Sequence, residues 1–260
     1  MTDKGLFYEE MEINTAELRV PHASYQRCLS VTRVRRIAQN FDERIANKPK
    51  VSYRDGKFYV FDGQHTIAAR RLRNNGEDLP VACKVYYGLT EQDEALLFAQ
   101  QFGFSDVLTA GAKMRALIYG RDPEALAFLE ATESVGLHLD YTQNLGENRI
   151  GCISTAFRAF QRVGRESYTE ALSILTEAWH GEPHSLRGET VRAMIEFVDL
   201  YKGEFSRDRL VAKLQMVDPL TIYRKGQAMG VNMAGYKKYL YQVFCIYNGS
   251  SKKSALPLKF

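Results

Sequence analysis

The 260-residue sequence has little that would support a secreted, membrane-spanning or zinc-stapled protein. No run approaches the roughly 18–20 consecutive apolar residues of a membrane helix. The opening MTDKGLFYEEMEINTAEL is acidic and has no basic patch followed by an apolar stretch. No secretory signal is therefore expected, and the expected setting is the cytoplasm, without a membrane partner. Cysteine is scarce: Cys28, Cys83, Cys152 and Cys245 are scattered, with no Cys-x-x-Cys pair. That excludes a zinc ribbon and, in a reducing compartment, a disulfide framework, leaving free thiols. The histidines (His22, His65, His138, His180, His184) form no His-Glu-x-x-His pattern. His180 and His184 have helical spacing, but Gly181 and Pro183 between them break the helix that would pair them. No metal-ligating set is expected. The formal net charge of +4 permits contact with nucleic acid without demanding it.

What is present begins as a mixed α+β pattern. Residues 11–20 read as a short strand and a turn, stopped by Pro21. A helix is expected from Ser30 through about residue 48, with Val34, Ile37, Ala38, Phe41 and Ile45 as its apolar stripe. KPKVSYRDGKFYVFDG reads as a hairpin turning at Asp55-Gly56. HTIAARRLRNNG follows as a helix with Ile67, Ala68 and Leu72 inward and Gly76 as its stop. LPVACKVYYG is a strand with Val81, Cys83 and Val85 on one face. TEQDEALLFAQQFG opens with Thr90 and Asp93 spaced as a capping box, and its inner stripe is Ala95, Phe98 and Phe102.

Beyond Gly103 strand-like alternation nearly vanishes. Helices are expected at 109–119, 122–135, 153–163, 166–179, 187–201, 206–217 and 219–229, with a buried aromatic closing helix over 236–247. The chain is therefore divided into an α+β domain (1–104), an all-α domain (105–248) and a loose polar tail (249–260).

Three pieces stand in order: YQR at Tyr25–Arg27, DGQHT at Asp62–Thr66 opening an Ala/Arg-rich helix, and LT before an acidic helix at Leu89–Glu94. Over residues 11–104 this resembles the N-terminal domain of the ParB/sulfiredoxin superfamily. The resemblance implies a ParB-like mixed domain followed by helices, in a DNA-associated accessory protein of a phage or mobile element. Sulfiredoxins carry Gly-Cys-His-Arg at this corner. Here Gln64 replaces the cysteine and cannot act as a thiolate, so that redox chemistry is excluded. ParB partition proteins carry Gly-Glu-Arg-Arg there and use it to handle CTP, whereas this chain has His65 and Thr66 in place of the arginines.

The residues themselves suit an anion. Gly63 allows close approach of a ligand to the backbone. The free N–H groups and dipole of the following helix favour negative charge. Gln64, His65 and Thr66 add polar groups, Arg70 and Arg71 lie about one turn further to add positive charge, and the resemblance implies that Arg27 reaches the same pocket. The competing reading is an inert corner, with Gln64 and Thr66 as caps and His65 tied to a neighbouring carbonyl. Asp62 and His65 are the candidate catalytic residues of an enzymatic alternative, a metal-dependent nuclease or nucleotide hydrolase. A two-metal nuclease would need several converging carboxylates, for which Asp62 and Glu94 are the candidates in this domain. A third alternative is a non-catalytic interaction scaffold. The cofactor is left open, a nucleotide with Mg²⁺ being the one the resemblance allows. DNA and a nucleotide remain as partners. For DNA, the helical domain offers Arg158, Arg162 and Arg165 along one ridge. It also offers Arg224 and Lys225 on the second helix of a helix-turn-helix-like stretch turning at Asp218-Pro219.

Overall fold

The computed structural model describes residues 7–100, 108–230, 233, 235–250 and 255–260. It divides into two compact units, Met1–Asp122 and Pro123–Phe260.

The first unit contains β1 (Tyr8–Asn14), β2 (Leu18–Arg19), α1 (Val31–Gln39), β3 (Lys50–Arg54), β4 (Lys57–Asp62), α2 (Gln64–Arg73), β5 (Pro80–Tyr87), α3 (Glu91–Ala99) and α4 (Ala110–Tyr119). Its five strands form one mixed sheet in the order β1-β5-β3-β4-β2. β3 and β4 form the expected hairpin, turning through Asp55 and Gly56, both at positive φ (51° and 71°). Such a turn matches the twist of the flanking strands. Successive strand residues face opposite ways, so Val60 and Phe61 of β4 serve two different cores. Val60 packs with Ile13, Val51, Val81, Cys83, Val85 and Ile67 of α2. Phe61 packs with Tyr25, Leu89, Ala95, Phe98 and Ala116.

Helix α3 carries the expected capping box: Thr90 accepts from the Asp93 N–H and Asp93 accepts from the Thr90 N–H. Phe102, assigned to its stripe, lies outside the described residues. Two expectations are corrected. Helix α1 stops at Gln39, because the Asn40 side chain turns back to donate to the Arg36 carbonyl at 2.9 Å and Asp42 accepts from the Arg44 N–H at 2.9 Å. These local bonds replace the continuing helical ladder and leave Ile45 exposed. On α2, Ala69 rather than Ala68 is fully buried and Leu72 is exposed, so the inward stripe starts from Gln64 and His65. Helix α4 lies in the first unit although the textural boundary falls before it. It packs on α3, and Arg115 donates to the carbonyls of Ser24 (2.8 Å) and His22 (3.1 Å).

The second unit holds α5 (Pro123–Glu133), the two-residue strands β6 (His138–Leu139) and β7 (Arg149–Ile150), α6 (Ile153–Trp179), α7 (Gly188–Leu200), α8 (Arg207–Gln215), α9 (Thr221–Ala228) and α10 (Lys237–Asn248). The parallel β6–β7 pair is an addition to the all-α expectation. Helix α6 is broken at Gly164 (φ 79°, ψ 175°), the point that separates the two helices expected there. It packs along α7, while α10 closes the unit with Tyr239, Leu240, Val243 and Tyr247 buried. The tail is not loose at its end. Asn248 accepts from the Leu256 N–H at 2.8 Å, Tyr201 donates to the Pro257 carbonyl at 2.8 Å, and Phe260 meets Phe244 edge-on.

Candidate ligand-binding site

The β4–α2 corner is made by Gly63, which sits at φ 97° as the N-cap of α2 and supplies no side-chain cap. A Cβ at this position would lie 3.0 Å from Pro49 Cα and 3.1 Å from Pro49 Cβ, so glycine is required both by the left-handed backbone and by the closeness of Pro49. The uncapped first turn of α2 leaves backbone N–H donors and the positive end of the helix dipole at the corner.

The next two residues turn inward. Gln64 and His65 are both buried. Gln64 Nε2 donates to the Arg27 carbonyl at 3.0 Å and approaches Gln26 Oε1 at 3.4 Å. His65 Nε2 accepts from the Ser30 N–H at 3.1 Å. Gln26, itself buried, donates to the carbonyls of Phe61 (2.9 Å) and Val60 (3.3 Å). YQR and DGQH are therefore two sides of one seam. Tyr25 anchors the first side from below, donating to Glu94 Oε2 at 2.8 Å. Glu94 is fully buried and also accepts from Arg54 Nε at 2.7 Å. Burial, together with the Glu94 carboxylate, raises the Tyr25 phenol well above its ordinary range.

Over this seam lies a cavity of about 490 Å³. Gly63, Gln64, His65 and Thr66 line it from the corner and Arg27 from the 25–30 segment, together with Arg33 and Arg36 of α1 and Lys48. Lys48 also pairs with Glu10. Ile37, Phe41, Ile45, Phe61 and Phe98 supply apolar wall, and Asp42 and Asp62 the carboxylates. Asp62 pairs with Lys50 at 3.3 Å.

Five of the six residues expected to handle phosphate thus share one cavity. Arg70 does not line it: its guanidinium pairs with Glu43 at 2.7 Å and lies 5.0 Å over the Phe41 ring. His65 accepts from a backbone N–H, that of Ser30, through its Nε2. Asp62 and Glu94 do not converge, because Glu94 is held by Tyr25 and Arg54 and is not in the cavity wall. Among the described residues, no group of three or more His, Cys, Asp or Glu is placed to hold a metal ion. Arg33, Arg36 and Lys48 were not singled out from sequence. Their i, i+3 spacing puts Arg33 and Arg36 on one face of α1, but nothing local shows that this face looks onto the α2 N-terminus.

In the second unit, Arg158 is exposed. Arg162 bridges Glu196 (2.8 Å) and Asp199 (3.1 Å), and Arg165 pairs with Glu130. Arg224 and Lys225 are exposed on α9. That helix packs on α10 and α7, with Gly226 pressed against the Tyr239 ring.

No helix of the described residues is long and apolar enough to cross a membrane. Neither a curated protein nor a solved structure matches the chain. A family model, described as a family of unknown function (DUF6551), matches residues 20–260, and the chain belongs to that family.

Proposed function

We propose that the protein binds a nucleotide, with its phosphates at the N-terminus of α2 and against Arg27, Arg33 and Arg36. The observation that carries this reading is the single cavity in which an uncapped helix start, three arginines and a lysine share walls with apolar side chains. Its volume of about 490 Å³ falls in the range of small-molecule sites, roughly 300–1,000 Å³. The mixture suits a ligand that is anionic at one end and flat or apolar at the other. The resemblance of residues 11–104 to ParB-like domains supports placing that ligand in a DNA-associated accessory protein of a phage or mobile element. A metal-dependent nuclease or hydrolase built on Asp62 and His65 finds less support, because Glu94 is engaged elsewhere and His65 is already bonded to Ser30.

A thermal-shift panel of nucleoside triphosphates, with and without Mg²⁺, tests the reading. A saturable stabilisation that is lost in Arg27→Ala and in Thr66→Ala is expected. No shift with any nucleotide, together with salt-dependent retention of DNA, would replace it by direct DNA binding.

A further inference from the structure

We infer that Gln64 and His65 are positioning residues: they strap residues 27–30, and with them Arg27, to the cavity wall, and His65 holds its part of the strap only as the neutral imidazole. The inference rests on the nucleotide reading for its binding consequence, but not for the strap itself.

The geometry fixes the roles of the atoms. A backbone N–H can only donate, so the His65 Nε2 that meets Ser30 N at 3.1 Å is the unprotonated ring nitrogen, with the ring proton on Nδ1. Gln64 is oriented just as firmly. Its Nε2 faces two acceptors, the Arg27 carbonyl and Gln26 Oε1, and a flipped amide would bring oxygen against oxygen. Consecutive residues of α2 thus grip the carbonyl of Arg27 and the N–H of Ser30, the two ends of one short segment, and Arg27 lines the cavity.

A histidine at an anion site ordinarily gains charge in acid and binds the anion more tightly. Here the sign reverses. Protonating Nε2 removes the acceptor of the Ser30 N–H and sets two donors face to face, so the strap opens as the pH falls. Among the described residues, the charged groups that line the cavity with His65 are Arg27, Arg33 and Arg36, Lys48 and Asp42 from the 42–48 segment, and Asp62 from β4. Among these lining residues the cations outnumber the carboxylates, which adds to the cost of a second proton on His65. His22 Nδ1 lies 3.2 Å from the Arg27 carbonyl, which can only accept, so that contact needs a ring N–H and not an unprotonated nitrogen.

The test uses the full chain, the His65→Gln variant and the His22→Gln variant. Glutamine keeps a neutral acceptor near the position of Nε2 but does not titrate. ATP and CTP binding is measured by calorimetry at about pH 8 and about pH 5.5, the interval in which histidine changes charge. Comparison with His65→Gln cancels the ionisation of the nucleotide itself. The wild-type protein is expected to lose about tenfold more affinity in acid than His65→Gln, as for one lost hydrogen bond, and His22→Gln is expected to follow the wild type. Tighter wild-type binding in acid, or identical pH profiles in wild type and His65→Gln, would overturn the inference. Amide exchange at Ser30, followed by NMR and corrected for intrinsic rate, reads the strap without any ligand. Protection is expected to fall in acid in the wild type and to persist in His65→Gln. If no nucleotide binds at any pH, the nucleotide reading fails while Ser30 still decides the strap. A Ser30 amide that stays protected in acid in the wild type overturns it.

Discussion

Gln64 Nε2 lies 3.0 Å from the carbonyl oxygen of Arg27 and donates to it, joining two motifs that are far apart in sequence. The two glutamines of this seam are not equivalent. Gln26 uses its amide nitrogen on the Phe61 and Val60 carbonyls and its oxygen on Gln64. Gln64 Oε1, by contrast, is buried with no hydrogen-bond partner among the described residues. Gln26→Leu strands several buried groups and is expected to cost about 2–3 kcal/mol. Gln64→Leu also removes an unsatisfied acceptor and is expected to cost about 1 kcal/mol. Urea denaturation of the two variants checks the order, and a larger loss in Gln64→Leu would refute it.

Gly63→Ala tests the corner. The new methyl group would meet Pro49 at 3.0 Å while the backbone is held at φ 97°. Strain of about 1–3 kcal/mol is expected. The start of α2 would move away from Pro49 and spoil the donor geometry of the first turn. Both the melting temperature and the nucleotide-induced shift should fall. A variant that keeps both shows that the backbone is free to relax there.

The elements were legible wherever local chemistry decides them. The Asp55-Gly56 hairpin, the Thr90/Asp93 capping box and the break at Gly164 are each written in a few adjacent residues. The end of α1 was misread because the apolar spacing runs on through Phe41 and Ile45 while Asn40 and Asp42 stop the helix with side-chain bonds. The corner was readable as an anion site from Gly63 and the helix that follows. Its cationic wall was not, because α1 reaches the corner only through tertiary packing against α2. The same limit applies to Glu94, a free carboxylate on paper whose partners Tyr25 and Arg54 come from a distant loop and from β3.

The two kinds of arginine near α2 should separate in function. Arg27 and Arg36 line the cavity, whereas Arg70 is folded over Phe41 and paired with Glu43. Arg27→Ala and Arg36→Ala are each expected to weaken nucleotide binding by about tenfold or more, the scale of one charge-assisted hydrogen bond. Arg70→Ala is expected to leave affinity unchanged and to lower stability modestly, through lost packing as well as lost charge. Calorimetric titration beside thermal denaturation distinguishes the two patterns, and equal affinity losses in all three variants would count against the cavity as the site.

Removing Glu94 should be far more damaging than removing its neighbour's hydroxyl. Glu94→Ala leaves the Tyr25 hydroxyl and the largely buried Arg54 without their closest partner, and a loss of about 3–5 kcal/mol is expected. Tyr25→Phe keeps the Arg54 pair and is expected to cost about 1–3 kcal/mol. Because Tyr25 precedes Gln26 and Arg27, a weakened anchor should also reduce protection of the Ser30 amide. Hydrogen exchange on Tyr25→Phe checks this, and unchanged protection would confine the role of the anchor to the core.

In the second unit the acid dependence of stability should be dominated by one carboxylate. Asp140 is buried, and the Thr142 hydroxyl, helped by the Thr142 and Gln143 N–H groups and the charge of Arg149, holds its carboxyl below the usual range. A carboxylate that ionises more readily in the fold than in the unfolded chain makes the unfolded chain the stronger proton binder in acid. Its contribution is therefore complete above about pH 4, the ordinary aspartate value, and is lost as the pH falls through the folded value. Glu166, also lowered by a hydrogen bond in this unit, lies on the surface, where such bonds contribute little. Asp140→Asn should therefore start less stable at neutral pH and lose less on acidification. Melting curves between about pH 7 and pH 3 should converge for wild type and variant at the acid end. Parallel curves across that range would mean that Asp140 is not the group through which acid acts on this unit.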